Sequence, residues 1–60
     1  MWKVVFDTGK VVRCKTKQGA LEAGQFRCDK RDRSAEVFDR KNRLRFRYWR
    51  DSEGLQYLEY

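Results

Sequence analysis

The sequence predicts an α+β fold in which two antiparallel β-hairpins form one sheet and a helix packs on one face of it, in the order β-β-α-β-β. Apolar and polar residues alternate in residues 2–16 and 35–50, and this period of two indicates strands. Between these stretches, residues 17–31 place apolar residues at helical spacing. A small SH3-like β-barrel is the alternative fold, with the helix ending near Ala23 and residues 25–28 forming a short strand.

The first predicted hairpin turns at D-T-G, residues 7–9. A three-residue loop with Gly9 in the left-handed conformation pairs Val4 with Val12, whereas a two-residue loop pairs Phe6 with Val11. We predict the three-residue loop, because it collects the apolar side chains on one face and is a common hairpin connection. That face holds Trp2, Val4, Phe6, Val12 and Cys14, and the other face holds Lys3, Val5, Val11, Arg13 and Lys15.

The predicted helix begins at Lys17, because the hydroxyl of Thr16 is placed to accept a hydrogen bond from an early backbone N–H group. Its apolar stripe is narrow and consists of Ala20, Leu21, Gly24 and Cys28. Phe26 falls on the opposite side of the helix, and a glycine in a helix interior costs about 1 kcal/mol relative to alanine. These two features keep the barrel alternative open.

The second predicted hairpin alternates strictly after its turn, with Leu44, Phe46 and Tyr48 on one face. Pairing Asp39 with Leu44 across a four-residue loop, R-K-N-R, brings the apolar residues of the preceding strand to the same face. The predicted core is therefore Trp2, Val4, Phe6, Val12, Cys14, Leu21, Val37, Leu44, Phe46 and Tyr48. The reverse face of this hairpin carries Glu36, Phe38, Arg45, Arg47 and Trp49.

The last stretch, L-Q-Y-L-E-Y in residues 55–60, follows a turn at D-S-E-G and forms either an edge strand or a helical turn. It holds two leucines and two tyrosines, which is too apolar for a loose tail, so we expect it to be ordered. It packs either on the core of its own chain or on a second copy in a homodimer.

Length and charge indicate one small basic domain, residues 1–60. Fifteen Lys and Arg residues against nine Asp and Glu residues give a net charge of +6 and a pI of about 9.8. The positive electrostatic field of so basic a small domain favours nucleic acid, an anionic membrane or an acidic protein as partner. A need for solubility alone also accounts for a net charge of this size. The sequence shows neither a signal peptide nor an apolar run of membrane-spanning length, so we expect a cytoplasmic protein without membrane contact.

The residue types that carry catalysis and metal binding are poorly represented. The sequence has no histidine, no glycine-rich phosphate loop and no C-x-x-C spacing between Cys14 and Cys28. We therefore predict reduced thiols that face the core, with one disulfide between Cys14 and Cys28 as the alternative that their spacing does not exclude. We predict no cofactor and no enzymatic activity. Asp29, Asp32 and Glu36 lie within eight positions, but the interleaved Lys and Arg residues neutralise them locally, and we expect no metal site.

The sheet face opposite the helix is the candidate binding surface. It is predicted to gather Lys3, Arg13, Lys15, Phe38, Arg45, Arg47 and Trp49. Cations track phosphates and flat rings accept stacked bases, so this combination is typical of surfaces that bind single-stranded nucleic acid. A purely structural interpretation is also consistent with it: arginine stems cover the rings, and Glu36 pairs with a neighbouring arginine on a solvated face.

Two functional hypotheses follow from different classes. The first is a small non-enzymatic module whose basic, aromatic-containing sheet face binds nucleic acid. The alternative is a phage-type protein-binding effector or inhibitor that docks on an acidic surface of a host protein. Both depend on the basic surface, but only nucleic-acid binding responds to polymer length and stops when the nucleic acid is digested.

Three short motifs carry a resemblance to known sequences: T-K-x-x-A-L at residues 16–21, R-S-A-E-V at residues 33–37 and D-R-K-N-R-L at residues 39–44. Together they resemble a family of small bacterial and phage domains of unknown function whose element order is hairpin, helix, hairpin. The resemblance implies the topology β-β-α-β-β, and it supplies no activity.

Overall fold

The computed structural model describes residues 1–30 and 32–60, and the side chains of all of these except Asp29 and Lys30. One helix and five strands make up the described fold: β1 (Trp2–Phe6), β2 (Val11–Cys14), α1 (Lys17–Lys30), β3 (Ser34–Phe38), β4 (Leu44–Asp51) and β5 (Gly54–Glu59). The strands form one antiparallel sheet in the order β2-β1-β3-β4-β5. The predicted α+β layout is confirmed, with a fifth strand added. The barrel alternative is wrong, because residues 25–28 belong to α1.

The first hairpin has the predicted loop and register. Val4 pairs with Val12, and Gly9 has a φ of +93°. The backbone N–H of Phe6 donates to the carbonyl of Lys10 at 2.9 Å, and the N–H of Gly9 donates back to the carbonyl of Phe6 at 2.9 Å. A Cβ at Gly9 would meet nothing within 4 Å, so the left-handed backbone conformation, not lack of space, makes glycine the suitable residue here.

Small residues bring α1 onto the sheet. Thr16 caps the helix, since its hydroxyl accepts a hydrogen bond from the N–H of Gly19 at 3.0 Å. Ala20, Gly24 and Cys28 are buried, whereas Phe26 on the opposite side is 65 % exposed. A Cβ at Gly24 would lie 3.4–3.5 Å from side-chain atoms of Val4, Val37 and Tyr48, which leaves room for a methyl group and nothing larger. The end of the predicted helix at residue 31 lies outside the described residues.

The second hairpin corrects the predicted loop. Val37 pairs with Phe46 as predicted, but the register then shifts and Phe38 pairs with Leu44, so Arg45 is the extra residue of a β-bulge. The loop has three residues, as in the first hairpin, and its left-handed residue is Asn42 with a φ of +64°. The predicted four-residue loop and the placement of Leu44 in the core are therefore wrong, because the bulge puts Leu44 opposite Phe38.

The core otherwise follows the prediction. Its fully buried apolar members are Val4, Phe6, Ala20, Cys28, Ala35, Val37, Phe46 and Tyr48, with Trp2, Val12, Cys14, Leu21, Ala23 and Leu55 packed against them. Both cysteines are free thiols. Burial raises the pKa of the Cys28 thiol to about 11, so this group stays protonated and unreactive at neutral pH.

The C-terminal segment is ordered as β5 on the edge of the sheet. Tyr57 pairs with Tyr48, their ring centroids lie 6.1 Å apart, and Leu55 packs against the core. Leu58 and Tyr60 remain about half exposed, at 49 % and 54 %. The segment therefore packs on its own chain, while pairing with a second copy through residues 55–60 stays a prediction.

Truncation of Phe46 tests the register of the second hairpin. Phe46→Ala is expected to cost about 3–5 kcal/mol of unfolding free energy, because it deletes a buried ring from the core. Leu44→Ala is the matched control on the same strand and is expected to cost clearly less, since Leu44 lies outside the core. Urea unfolding measures both; equal costs for the two variants would contradict the bulged register.

Removal of residues 55–60 tests the contribution of β5. The truncated chain loses the pairing with β4 and the contact of Leu55 with the core, so its melting temperature is expected to fall. Thermal unfolding followed by circular dichroism measures the change, and size-exclusion chromatography of both chains reports any loss of a dimer. An unchanged melting curve and an unchanged elution volume would show that residues 55–60 stabilise neither the folded monomer nor a dimer.

Candidate nucleic-acid interface

The sheet face turned away from α1, here called the open face, is covered by no described helix or strand. One cross-strand row on it runs from Arg13 through Lys3 to Phe38 and Leu44. The ammonium group of Lys3 lies 5.0 Å from the centroid of the Phe38 ring. Cation and ring are therefore already in contact at this end of the open face.

A second group on the open face lies along β4. Arg47 stands opposite Glu36 on β3 and Leu58 on β5, and its guanidinium carbon lies 5.8 Å from the Trp49 ring. Of the predicted site residues, the sheet thus brings together Lys3, Arg13, Phe38, Arg47 and Trp49. Glu36 is the one carboxylate that the strand pairing places among them in the described part of the sheet.

Two predicted site residues lie outside the paired positions of the open face. Lys15 is exposed just beyond the end of β2. Arg45 is the bulge residue, and one of its terminal nitrogens lies 3.5 Å from Asp39 Oδ2. The attraction of a buried carboxylate and the extra residue in β4 together turn Arg45 away from the row that alternation assigned to it.

Asp39 organises the turn of the second hairpin. Its side chain is 7 % exposed, and its carboxylate accepts hydrogen bonds from the backbone N–H groups of Lys41 at 2.9 Å and Arg43 at 3.0 Å. The side-chain Nε of Arg43 adds a third bond at 3.0 Å. These donors, the backbone N–H of Arg43 foremost, lower the pKa of Asp39 to about 2.

The same turn forms one wall of a cleft that the sequence analysis missed. This basic cleft has a volume of about 460 Å³ and is lined by Trp2, Thr16, Lys17, Asp39, Arg40, Lys41, Arg43 and Arg45. In the sequence, R-K-N-R reads as ordinary turn material. Its proximity to the start of α1 and to Trp2 depends on the pairing of β1 with β3, which carries no local signal.

The positive charge of the described residues is concentrated at one end of the molecule. We call this the basic end: the end of the sheet at which β1 and β4 begin, together with the start of α1 and the adjoining turn of residues 39–43. It carries eight cations, Lys3, Arg13, Lys15, Lys17, Arg40, Lys41, Arg43 and Arg45, against the two carboxylates of Asp39 and Glu59. This surplus of six equals the net charge of the chain, since the rest of the sequence holds seven basic and seven acidic residues.

Away from the basic end, the buried carboxylate of Asp32 is paired with an arginine. Asp32 is 1 % exposed and binds Nε of Arg27 at 2.9 Å, and the Arg27 guanidinium carbon lies 4.7 Å from the Phe6 ring.

Within the described part of the chain, no three Cys, Asp or Glu side chains converge as metal ligands. Among the described residues, no helix combines the length and the apolar character that crossing a bilayer requires.

Comparison of the chain with protein-family models, with curated protein sequences and with solved structures finds no match. The resemblance to small bacterial and phage domains therefore stays a prediction. Inferences about function depend on the geometry and charge of this chain alone.

Acid titration tests the role of Asp39. A pKa lowered in the folded state means that the ionised carboxylate stabilises the fold above its ordinary pKa of about 3.9, and that this contribution disappears as the pH falls towards about 2. Urea unfolding of the wild type and Asp39→Asn from about pH 5 to about pH 2 measures it, because the difference between the two proteins isolates this group. That difference is expected to shrink in the acid range; a constant difference would contradict the assignment.

Proposed function

We propose that the protein is a small non-enzymatic module that binds single-stranded nucleic acid across its open face and basic end. The observation that carries the proposal is the charge distribution: a surplus of six positive charges adjoins the open face, which bears Phe38 and Trp49. Phosphates are held by the cations, and release of their counterions drives association. Bases stack on the rings, as they do on the aromatic residues of other open-sheet RNA-binding domains.

The cation–ring contacts decide how a base gains access. The ammonium of Lys3 sits over Phe38 and the guanidinium of Arg47 sits over Trp49. A base that stacks on either ring displaces the cation sideways, where it meets the neighbouring phosphate. The planar guanidinium of Arg47 is also itself a stacking surface. Each cation–ring pair thus supplies the two contacts that a nucleotide needs: a ring on which the base stacks and a cation that binds the phosphate.

A specific observation favours the alternative, a protein-binding effector that docks on an acidic surface of a host protein. Val11 and Leu58, which are 42 % and 49 % exposed, stand at the two ends of the central row of the open face. Val5 lies between them on β1. Exposed aliphatic residues framed by cations are typical of protein interfaces as well.

Substitutions on β4 separate phosphate contacts from stacking. Arg47→Ala is expected to reduce the slope of log K against log salt by about 0.7 to 1, because one phosphate contact is lost. Trp49→Ala is expected to cost ~1–3 kcal/mol with the slope nearly unchanged, since stacking releases few ions. Fluorescence anisotropy with labelled single- and double-stranded oligonucleotides at several salt concentrations measures both effects. Trp49→Phe retains a ring and should recover most of the affinity.

A lysine pair tests the location of the interface, because the two variants have the same net charge as each other. Lys15→Ala and Lys10→Ala each remove one exposed lysine, at opposite ends of β2. Lys15 belongs to the basic end, so its loss is expected to lower the affinity and the salt slope more than the loss of Lys10. Equal effects would mean that net charge, not the basic end, governs binding.

The absence of oligonucleotide binding at low salt would overturn the nucleic-acid proposal in favour of the acidic-protein partner. Capture of partners from a lysate with and without nuclease treatment then distinguishes the two, because nuclease removes partners held through nucleic acid and leaves a directly bound protein in place.

A further inference from the structure

The basic cleft is the second feature of the molecule suited to a ligand. Its lining comes from three places that are distant in the sequence: the start of β1, the start of α1 and the turn of the second hairpin. A volume of about 460 Å³ falls within the range of roughly 300–1,000 Å³ that is usual for small-molecule sites. The cleft is shallow and largely open to solvent, so a ligand of nucleotide size would lie against its lining residues without being enclosed by them.

Asp39 arranges two of the arginines that line the cleft. Arg43 uses its Nε and Arg45 uses one terminal nitrogen to contact the same oxygen, Oδ2 of Asp39. A guanidinium has five N–H donors, so most donors of each arginine remain for a ligand. Asp39 is thus a positioning residue, which holds the two forks at a fixed separation before any ligand arrives.

The charge of the cleft exceeds what Asp39 can neutralise. Five cations, Lys17, Arg40, Lys41, Arg43 and Arg45, surround one carboxylate. No described carboxylate forms an ion pair with Lys17, Arg40 or Lys41, and the ammonium of Lys17 lies 5.3 Å from the Phe46 ring. A surplus of four positive charges matches a compact anion of high charge. A phosphate monoester has a charge of about −1.5 to −2 and three strong acceptor oxygens, more than a backbone diester offers.

Trp2 supplies a flat apolar surface beside these cations. It is partly buried and packs against the core, so its indole is held in place and presents its remaining surface to the cleft. An indole next to a cluster of guanidinium groups favours a ligand that carries an aromatic base as well as a phosphate.

We propose that the basic cleft binds a phosphate monoester attached to a nucleoside, either the phosphorylated end of a nucleic-acid strand or a free nucleotide. As a strand-end site, this inference rests on the proposed nucleic-acid function; as a site for free nucleotide, it stands alone. The arginines and Lys17 hold the phosphate, and Trp2 stacks on the base.

The test uses the full chain and pairs of otherwise identical single strands that end in a 5′-phosphate or a 5′-hydroxyl, with a fluorescent label at the 3′ end. A second pair carries the label at the 5′ end and a 3′-phosphate or 3′-hydroxyl. At least one terminal phosphate is expected to tighten binding about tenfold or more, as charge-assisted hydrogen bonds to a dianion allow. Adenosine monophosphate and adenosine, titrated by calorimetry, report on the free nucleotide.

Arg43→Ala is the diagnostic variant, and Lys10→Ala is its matched control. Arg43 and Lys10 occupy the same position after the three-residue loops of the two hairpins, since their carbonyls accept the N–H groups of Asp39 and Phe6. Arg43→Ala should abolish the advantage of the terminal phosphate, and Lys10→Ala should retain it. Arg40→Ala removes an exposed cation of the cleft without touching Asp39, and it replaces Arg43→Ala if that variant melts at a lower temperature.

The outcomes separate the two proposals. A terminal-phosphate advantage that depends on Arg43 supports the cleft site, and competition by adenosine monophosphate as strong as by the strand identifies a free nucleotide as its ligand. Equal binding of phosphate and hydroxyl ends, with no binding of adenosine monophosphate, overturns the cleft site while the nucleic-acid proposal stands. Binding of adenosine monophosphate without binding of any strand keeps the cleft site and overturns the nucleic-acid proposal. Failure of every ligand to bind overturns both.

Discussion

The contact of α1 with the sheet through small residues is the constraint on which the rest of the structure depends. Ala20, Gly24 and Cys28 recur every four residues and are all buried, so the helix lies directly on the central strands. Val4 and Val37 pair beneath it and join the two hairpins into one sheet. In the described part of the chain the apolar residues of five strands share one helix. That helix covers one sheet face, and no described element covers the other.

Asp39 links the fold to the charged surface. A three-residue loop with a left-handed Asn42 closes the second hairpin, and the buried carboxylate accepts the backbone N–H groups inside that loop. Because the loop has three residues instead of the predicted four, β4 contains one additional residue, and Arg45 is accommodated as a β-bulge. The hydrogen bonds of Asp39 to the backbone of its own turn thus favour the three-residue loop. This loop and the bulge place Leu44 outside the core and bring Arg43 and Arg45 together at the basic cleft.

The electrostatic asymmetry has a structural origin. Antiparallel pairing places the last residues of β2 and β3 beside the first residues of β1 and β4. The basic residues near these strand termini therefore lie together at the basic end. The other residues carry equal numbers of basic and acidic side chains, and Arg27 and Asp32 among them form an ion pair. The longest dimension of the molecule, 33 Å, exceeds the Debye length of about 8 Å at physiological salt, so charges at opposite ends are largely screened from each other. We therefore expect an anionic molecule to be attracted to the basic end rather than to the protein as a whole.

The sequence by itself determined the elements that have a strong local cause. Strand alternation and the D-T-G turn specified the first hairpin and its register, and Thr16 specified the start of α1. The predicted core wrongly included Leu44 and omitted Ala20 and Ala35, which are fully buried. The fate of residues 55–60 was left between two structures, since a short apolar stretch has no decisive period and the choice depends on the free edge of β4. For the candidate site, alternation correctly placed Lys3, Arg13, Phe38, Arg47 and Trp49 on one face. Arg45 and the basic cleft were decided only by the tertiary structure, because a bulge reverses alternation locally, and because a cleft assembled from Trp2, Lys17 and Arg43 exists only once β1 pairs with β3.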